Sequence, residues 1–335
     1  MTQISSSSDL KKLLERYLEY CEVERNFSQN TIKMYHFYLN DFLTWAGAFL
    51  EKENLVILDV SSELVRKYRL DLNRRLSSRS HEELKKTTQK NFLVCLRSFL
   101  KYLIVEEGID ALSPDKITLG KPDESIPKVL DGQQLQLLFS SQNLEKRSGL
   151  RDRAILELLF STGLRVSELI NLNISDITLS SDEFSVIGKG RKVRTVYLSP
   201  SAKQWVGKYL ATRADAFLPL FIRYSGKSMD ESDFDGESLR LTPRSVQRLV
   251  KKYILRAGIP VDATPHTLRH SFATGLLREG ADLRSVQELL GHANVATTQI
   301  YTHVTNLQLK QAHKKFHKSP TSETDFLNFD PEPNS

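Results

Sequence analysis

The sequence predicts a mostly α-helical protein of two domains with one small antiparallel β-sheet. Apolar residues recur at the spacing of amphipathic helices through most of the 335 residues. A proline-rich stretch at 113–130 interrupts this periodicity, and at 183–199 the pattern changes to β-branched residues around a glycine-containing turn. A chain of this length exceeds the commonest domain size, so each of two domains has enough residues to bury its own core.

The N-terminal region, residues 1–112, predicts a bundle of helices. Helical periodicity is present at 9–25, 31–46 and 90–107, and Gly47 is expected to end the second of these helices. The aromatic residues of this region are expected to form its core rather than a binding surface. They include Tyr35, Tyr38 and Trp45.

A second helical region follows a predicted linker. Residues 113–128 contain three prolines, a glycine and charges of both signs with little periodicity, as expected between domains. Residues 129–318 predict a second domain, in which a helix breaks at Gly163 and β-branched residues flank the turn GKGRK, a pattern typical of a hairpin. The segment 319–335 is expected to be a flexible tail, because it is rich in proline and acidic residues.

The composition argues against several classes of protein. No apolar run approaches the roughly 18 residues that suggest a membrane span, and the polar start predicts a cytoplasmic protein with no membrane partner. The two cysteines, Cys21 and Cys95, lack CxxC spacing. This argues against a disulfide framework or a zinc site and predicts buried, reduced thiols.

Positive charge is concentrated in one part of the chain. The net charge is only +6, but residues 240–318 contain 13 Lys or Arg against four acidic residues. By contrast, 230–237 contain five acidic residues and no basic one. A single lysine in such a region is ordinarily a solvated surface residue. The regional excess nevertheless favours a ligand that carries phosphate groups.

The segment TPHTLRH at 264–270 predicts a helix whose start can bind an anion. Thr264 is suited to cap this helix and Pro265 to begin it. His266 then lies in the opening turn, and Arg269 follows three residues later on the same face. Free N–H groups at a helix start attract phosphate, and an arginine beside them can bind two phosphate oxygens. A lone histidine here is more often a capping or packing residue, so its companions decide the interpretation.

Four further residues complete a set able to transfer a phosphodiester. They are Arg165 in STGLRVSEL, Lys189 in GKG, His292 in LLGH and Tyr301 in TTQIYTH. Each alone has an ordinary interpretation: a paired helix arginine, a solvated turn lysine, a helix-end histidine and a half-buried tyrosine. Together with His266 and Arg269 they supply positive charge, proton donors and a nucleophile. A metal nuclease or zinc hydrolase is disfavoured, because the histidines lack a carboxylate partner or HExxH spacing and lie among arginines.

These residues and the words around them resemble the catalytic domain of the tyrosine recombinase (phage integrase) family, most closely its Xer branch. The six positions occur in family order and with family-like spacing across 150–306. The N-terminal stretch SQNTIKMYHFYLNDFLTW is similar to the family's core-binding, SAM-like helical domain. The resemblance covers nearly all of residues 9–318, and it implies a two-domain clamp around DNA.

The resemblance also implies a mechanism. Tyr301 would attack the scissile phosphate, release a 5′-hydroxyl and leave a 3′-phosphotyrosyl bond, while His266 is the candidate to accept the phenolic proton. A free tyrosine has a pKa of about 10, so it needs a base or neighbouring cations to act near neutral pH. Because bond energy is conserved, neither ATP nor a metal or other cofactor is expected.

Charged residues would stabilise the transition state of this reaction. Arg165 and Arg269 would hold the nonbridging oxygens, and His292 would add a hydrogen bond there. Lys189 would act as the general acid that protonates the departing 5′-oxygen. Glu168, three residues beyond Arg165, is expected to orient Arg165 rather than to act in the chemistry.

The partners implied by the resemblance are a double-stranded DNA recombination site and further recombinase subunits. The subunits would form a tetramer on DNA, made of this chain alone or with a second recombinase, and a septal DNA translocase is a further expected partner. Basic residues expected to contact the DNA backbone are Lys90, Arg97, Arg191, Lys192, Arg244 and Arg248. An acidic insertion at 228–237 and the tail depart from the compact Xer pattern and put the transfer of partner contacts in doubt.

The expected function is the resolution of chromosome or plasmid dimers for segregation at cell division. The alternative is an integrase of a plasmid, phage or transposon, which would use the same residues. Because helical core-binding sequence begins near residue 9, no extra N-terminal arm-binding module is expected, which argues against this alternative. A type IB topoisomerase would share the chemistry without pairing two sites. A non-catalytic DNA-binding protein of this fold would tolerate loss of Tyr301.

Overall fold

The computed structural model divides into two compact units, residues 1–125 and 126–335. The structure describes residues 9–77, 81–120, 127–188, 192–226 and 233–291. These residues form eleven α-helices and one two-stranded antiparallel sheet, which confirms the predicted fold class. Within these ranges, no helix has the length and apolar character needed to cross a membrane. The predicted tail, 319–335, lies outside the described residues.

The first unit contains four helices around one core. They are α1 (Leu10–Val23), α2 (Gln29–Leu50), α3 (Ser62–Arg74) and α4 (Lys86–Val105). Helix α2 packs against the other three, and α4 also packs against α1 and α3. Tyr38 is buried in this core, while Tyr35 and Trp45 are partly buried and pack against it. These three aromatic residues therefore belong to the core, as predicted.

Helix α2 runs through Gly47, which the sequence had predicted to be its end. The helix continues to Leu50 because Glu51, with a φ of 54°, adopts the left-handed conformation that closes it. The carbonyl of Gly47 accepts the Lys52 N–H at 3.0 Å, and a Cβ on Gly47 would lie 3.0 Å from the Lys52 carbonyl oxygen. The glycine therefore makes room for the reversal after the helix, one turn before the end.

Part of the predicted linker packs on the first unit. Residues Pro114–Lys116 form a 3₁₀ turn, and Ile117 is buried in the core of that unit. Residues 121–126 lie outside the described part of the chain. The linker boundaries 113–128 stay a prediction.

The second unit is built around a buried central helix. Its elements are α5 (Gly132–Ser140), α6 (Arg147–Thr162), α7 (Val166–Ile170), β1 (Glu183–Ile187), β2 (Val193–Tyr197), α8 (Pro200–Leu210), α9 (Pro243–Arg256), α10 (Pro265–Arg278) and α11 (Leu283–Leu290). Helix α6 packs against both α8 and α10, and its apolar side chains, among them Ile155 and Leu159, are fully buried. Thr264 caps α10 by accepting the Thr267 N–H, and Pro265 begins the helix, as predicted.

The predicted hairpin is present and brings a charged residue to its inner face. Strands β1 and β2 pair antiparallel, with Glu183 opposite Tyr197 and Val186 opposite Arg194. Because Val186 is buried, Arg194 lies on the face that packs against the rest of the unit. The tip of the hairpin, 189–191, lies outside the described residues.

Candidate active site

The structure brings together the three predicted catalytic residues that it describes. Arg165 directly precedes α7, and His266 and Arg269 lie on the first turns of α10. Desolvation lowers the pKa of His266, and both arginines lie near enough for their positive charges to lower it further. The remaining predicted residues lie outside the described part of the chain: Lys189, His292 and Tyr301.

Arg269 is buried and joins the ends of two helices. Its residue is 4% exposed, and its guanidinium donates to the carbonyl of Gly163 and, at 2.6 Å, to the carbonyl of Leu290. Gly163 ends α6 in the left-handed conformation, with a φ of 61°, as the sequence predicted for a helix break at this glycine. The arginine is therefore fixed by backbone atoms that cannot rotate away.

The guanidinium of Arg165 is hydrogen-bonded to protein acceptors but remains partly exposed to solvent. Its Nη1 donates to Glu168 Oε1 at 2.8 Å, and its Nη2 donates to the carbonyl of Gly291 at 3.2 Å. The backbone N–H of Arg165 also donates to Glu168 Oε2 at 2.8 Å. Since the Arg165 side chain remains 25% exposed, its guanidinium can present further N–H donors to an anion.

Besides Arg165, Glu168 binds a further arginine, Arg194, which the sequence analysis did not single out. Arg194 on β2 donates from Nη1 to Oε1 and from Nη2 to Oε2 of Glu168, each at 2.8 Å. Its Nε donates to the carbonyl of Leu289 at 3.1 Å. The alternation of β2 carried a signal for this residue, because an arginine at an inward-facing strand position requires a buried acceptor.

Glu168 is a buried anion between the two arginines. Burial alone raises the pKa of this carboxyl, but the hydrogen bonds from Arg194 and Arg165, together with the charge of Arg194, outweigh burial and lower the pKa below its ordinary range. Glu168 is therefore ionised at neutral pH. This fits an orienting role better than proton transfer, because such a group does not take up a proton near neutral pH.

The surroundings of His266 favour the neutral form of its imidazole. Although His266 is exposed, partial desolvation of its ring lowers its pKa, and the nearby charges of Arg269 and Arg165 lower it further. Burial, together with His266 and Arg269, likewise lowers the pKa of His270, one turn further along α10. A neutral imidazole can accept a proton.

In the described ranges, no group of three or more His, Cys, Asp or Glu side chains is suited to hold a metal ion.

Three consecutive carbonyls at the end of α11 each accept a hydrogen bond from a different arginine. The pairs are Leu289 with Arg194, Leu290 with Arg269, and Gly291 with Arg165. The carbonyl end of a helix carries partial negative charge, so three guanidinium groups stabilise this end strongly. The next residue in the chain is His292, so the segment that leads to it begins at this fixed point.

The predicted DNA-contacting residues are placed differently in the two units. Lys192, Arg244 and Arg248 are exposed on the second unit, and Arg191 lies outside the described residues. On the first unit, Arg97 pairs with Asp115 at 3.2 Å. Lys90 lines a cavity of about 930 Å³, and this cavity is also lined by basic residues that the sequence reasoning had not singled out. They are Arg66, Lys67, Arg69 and Lys86.

Comparison with known families identifies the kind of protein that carries this site. Residues 128–308 match the phage integrase family, and residues 14–107 match the phage integrase N-terminal SAM-like domain. The chain belongs to the phage integrase family of tyrosine recombinases. This membership confirms the predicted family, the SAM-like N-terminal region and the predicted class of enzyme, a tyrosine recombinase.

This tyrosine recombinase has relatives of nearly the same length. It is 35% identical over 310 residues to the tyrosine recombinase XerD of Lacticaseibacillus casei, covering 91% of this chain and 98% of the relative. It is 34% identical over 308 residues to the tyrosine recombinase XerC of Staphylococcus carnosus, covering 92% and 98%.

Solved structures share the fold of this tyrosine recombinase at lower identity. The XerH recombinase bound to its palindromic difH substrate aligns with a TM-score of 0.65 and 23% identity, covering 94% of this chain and 91% of that one. A lambda integrase dimer bound to a core site aligns with a TM-score of 0.66 and 16% identity, covering 88% and 95%.

Proposed function

We propose that this tyrosine recombinase cuts and rejoins double-stranded DNA at a specific site through a 3′-phosphotyrosyl intermediate. The observation that carries the proposal is that Arg165 and Arg269 both donate to carbonyls at the end of α11, while desolvation and the positive charges of both keep the nearby His266 in its neutral form. Two fixed guanidinium groups beside a proton acceptor fit the needs of phosphoryl transfer, which depends on positioning and charge stabilisation.

In the proposed reaction, the Tyr301 oxygen bonds to phosphorus and the bond to the 5′-oxygen breaks. His266 accepts the phenolic proton, and Lys189 donates a proton to the departing 5′-oxygen. Arg165 and Arg269 hold the nonbridging oxygens, and His292 adds a hydrogen bond. Attack by the 5′-hydroxyl of a partner duplex then reverses these steps. The chemistry conserves the phosphodiester bond energy and calls for no metal or other cofactor.

The basic residues singled out from the sequence are proposed to contact the DNA backbone. Lys192, Arg244 and Arg248 are exposed, which is consistent with this role. Such contacts position a protein on DNA without encoding its sequence preference. On DNA, the chain is proposed to act as a tetramer, alone or with a second recombinase.

The biological task that we propose is the resolution of chromosome or plasmid dimers in the cytoplasm at cell division, with a septal DNA translocase as partner. The support is the similarity to relatives named XerD and XerC over more than nine-tenths of the chain. Integration of a mobile element is the second candidate, because the integrase of the Tn1549 transposon shares the fold with a TM-score of 0.67.

A covalent-trapping experiment tests the proposal. The protein is incubated with nicked genomic DNA fragments in EDTA and trapped with SDS, and the attached peptide and DNA are then identified. A phosphotyrosine adduct at Tyr301 is expected, and Tyr301→Phe is expected to bind DNA without any adduct. An adduct that survives in Tyr301→Phe would assign another nucleophile. DNA binding without an adduct in the wild type would favour a non-catalytic DNA-binding protein.

The attached DNA also decides between the two biological roles. A site near the replication terminus, or within a plasmid, supports dimer resolution. A site at the ends of a transferable element supports integration and overturns dimer resolution as the main task.

A further inference from the structure

Arg194 contacts three segments of the candidate active site at once. Its two terminal nitrogens hold both oxygens of Glu168, the carboxylate that also binds Arg165. Its Nε holds the carbonyl of Leu289 at the end of α11. The guanidinium therefore links β2, the start of α7 and the end of α11 through bonds that depend on its fork geometry.

Two glycines allow the chain to pass close to this guanidinium. A Cβ on Gly188 would lie 3.3 Å from Glu168 Oε1 and 3.5 Å from Arg194 Nη1. A Cβ on Gly291 would lie only 2.8 Å from Arg194 Cδ, and Gly291 has a φ of 61°. The chain is therefore packed against Arg194 at both points, leaving little room for a side chain.

The position of these glycines in the sequence connects the packing to the proposed reaction. Gly188 directly precedes Lys189, and Gly291 directly precedes His292. The Gly188 N–H also donates to the Lys192 carbonyl at 2.8 Å, which closes the neck of the hairpin beside Arg194. The segments that bear two proposed catalytic residues therefore depart from points fixed against one side chain.

We infer that Arg194 is a positioning residue for DNA cleavage: it holds Glu168, and through it Arg165, in register with the hairpin neck and the end of α11. The inference rests on the proposed function. It assigns Arg194 no contact with DNA, because its side chain is only 10% exposed and its guanidinium donates to Glu168 and to the carbonyl of Leu289. Loss of Arg194 is therefore expected to slow the chemical step while DNA affinity is kept.

The chain offers a matched control for the loss of a buried arginine. Arg151 is 12% exposed and pairs with the buried Asp152, as Arg194 pairs with the buried Glu168. Arg151 also donates to a backbone carbonyl, that of Ile222, at 2.8 Å. The two arginines therefore make comparable structural contacts, but only Arg194 contacts residues of the candidate active site.

The test uses the full chain and a nicked duplex carrying the sequence recovered with the wild-type protein in the covalent-trapping experiment. For wild type, Arg194→Gln, Arg194→Lys and Arg151→Gln, we would measure duplex affinity, the single-turnover rate of covalent attachment at saturating protein, and the unfolding temperature. A misplacement of about 1 Å can slow an enzyme on the order of 100-fold, and Arg194→Gln is expected to lose at least that much rate. Its duplex affinity is expected to stay within about threefold of wild type.

The variants separate a positioning role from a structural one. Arg151→Gln is expected to attach DNA within about threefold of the wild-type rate. Arg194→Lys keeps the buried charge but not the fork, so its rate is expected to fall about tenfold or more. If Arg194→Gln fails to fold, the attachment rate of Arg194→Lys tests the positioning role instead. Equal rates in the Arg194 and Arg151 variants, or a loss confined to duplex affinity, would overturn the inference. Failure of the wild type to attach DNA would overturn the proposed function itself, and the inference with it.

Discussion

The ring of Phe272 closes over Gly163. A Cβ built on Gly163 would lie 2.6 Å from Cδ1 and 2.9 Å from Cε1 of this ring. Gly163 also has a φ of 61°, and its carbonyl accepts a hydrogen bond from Arg269. Gly163 thus adopts a left-handed conformation, leaves room for the Phe272 ring and offers its carbonyl to Arg269. A residue with a side chain would be strained there and would collide with the ring.

Gly163→Ala is expected to destabilise the second unit by about 3 kcal/mol, because an alanine there is strained and also displaces a packed ring. Gly258→Ala is the control, since Gly258 has a φ of 66° with nothing within 4 Å of the added Cβ. That variant is expected to lose only about 1 kcal/mol. Urea unfolding of the two variants measures both values. Equal losses would show that Phe272 moves aside freely.

Arg269→Lys is expected to lose about 2 kcal/mol of stability, because the single nitrogen of a lysine does not span the two carbonyls that the guanidinium reaches with separate nitrogens, and one buried acceptor is left unpaired. Arg278 lies on the same helix and is exposed, so Arg278→Lys is expected to stay within about 0.5 kcal/mol of wild type. Thermal unfolding compares the pair. A loss in Arg269→Lys no larger than in Arg278→Lys would mean that the carbonyl contacts contribute little.

The rate of covalent attachment is expected to hold at neutral pH and to fall only below pH 6.5. The pKa of His266 is lowered from 6.5 by partial desolvation of its ring and by the charges of Arg269 and Arg165. The proton-accepting form therefore persists as the pH falls through 6.5 and is lost below it. Single-turnover rates across this pH range measure the profile. A decline centred at or above pH 6.5, which persists in His266→Gln, would assign the titration to another group.

Lys189→Ala is expected to attach ordinary DNA poorly but to recover on a duplex whose 5′-bridging oxygen at the scissile phosphate is sulfur. A thiolate leaves without a proton, so the general acid becomes dispensable. Arg269→Lys serves as the comparison, because charge stabilisation is needed with either leaving atom. The measurement is the attachment rate on the two duplexes. No selective recovery in Lys189→Ala would move the general-acid role to another residue.

Local sequence determined most of the secondary structure and named every described residue of the site except Arg194. Thr264 and Pro265 fixed the start of α10, and so placed His266 and Arg269 on one face. Caps, helical periodicity and turn glycines act within a few residues, so they can be read directly from the chain. Gly47 shows the limit, because α2 continues past it until Glu51 closes the helix.

Only the tertiary structure decided what those residues contact. Arg269 binds a carbonyl 106 residues away, Arg165 one 126 residues away and Arg194 one 95 residues away. Periodicity shows which face of a helix or strand is buried, but not which distant backbone atom will lie against it. The residue types of the site were thus set by the sequence. Their assembly around the end of α11, and the part of Arg194 in it, follow from packing between distant segments.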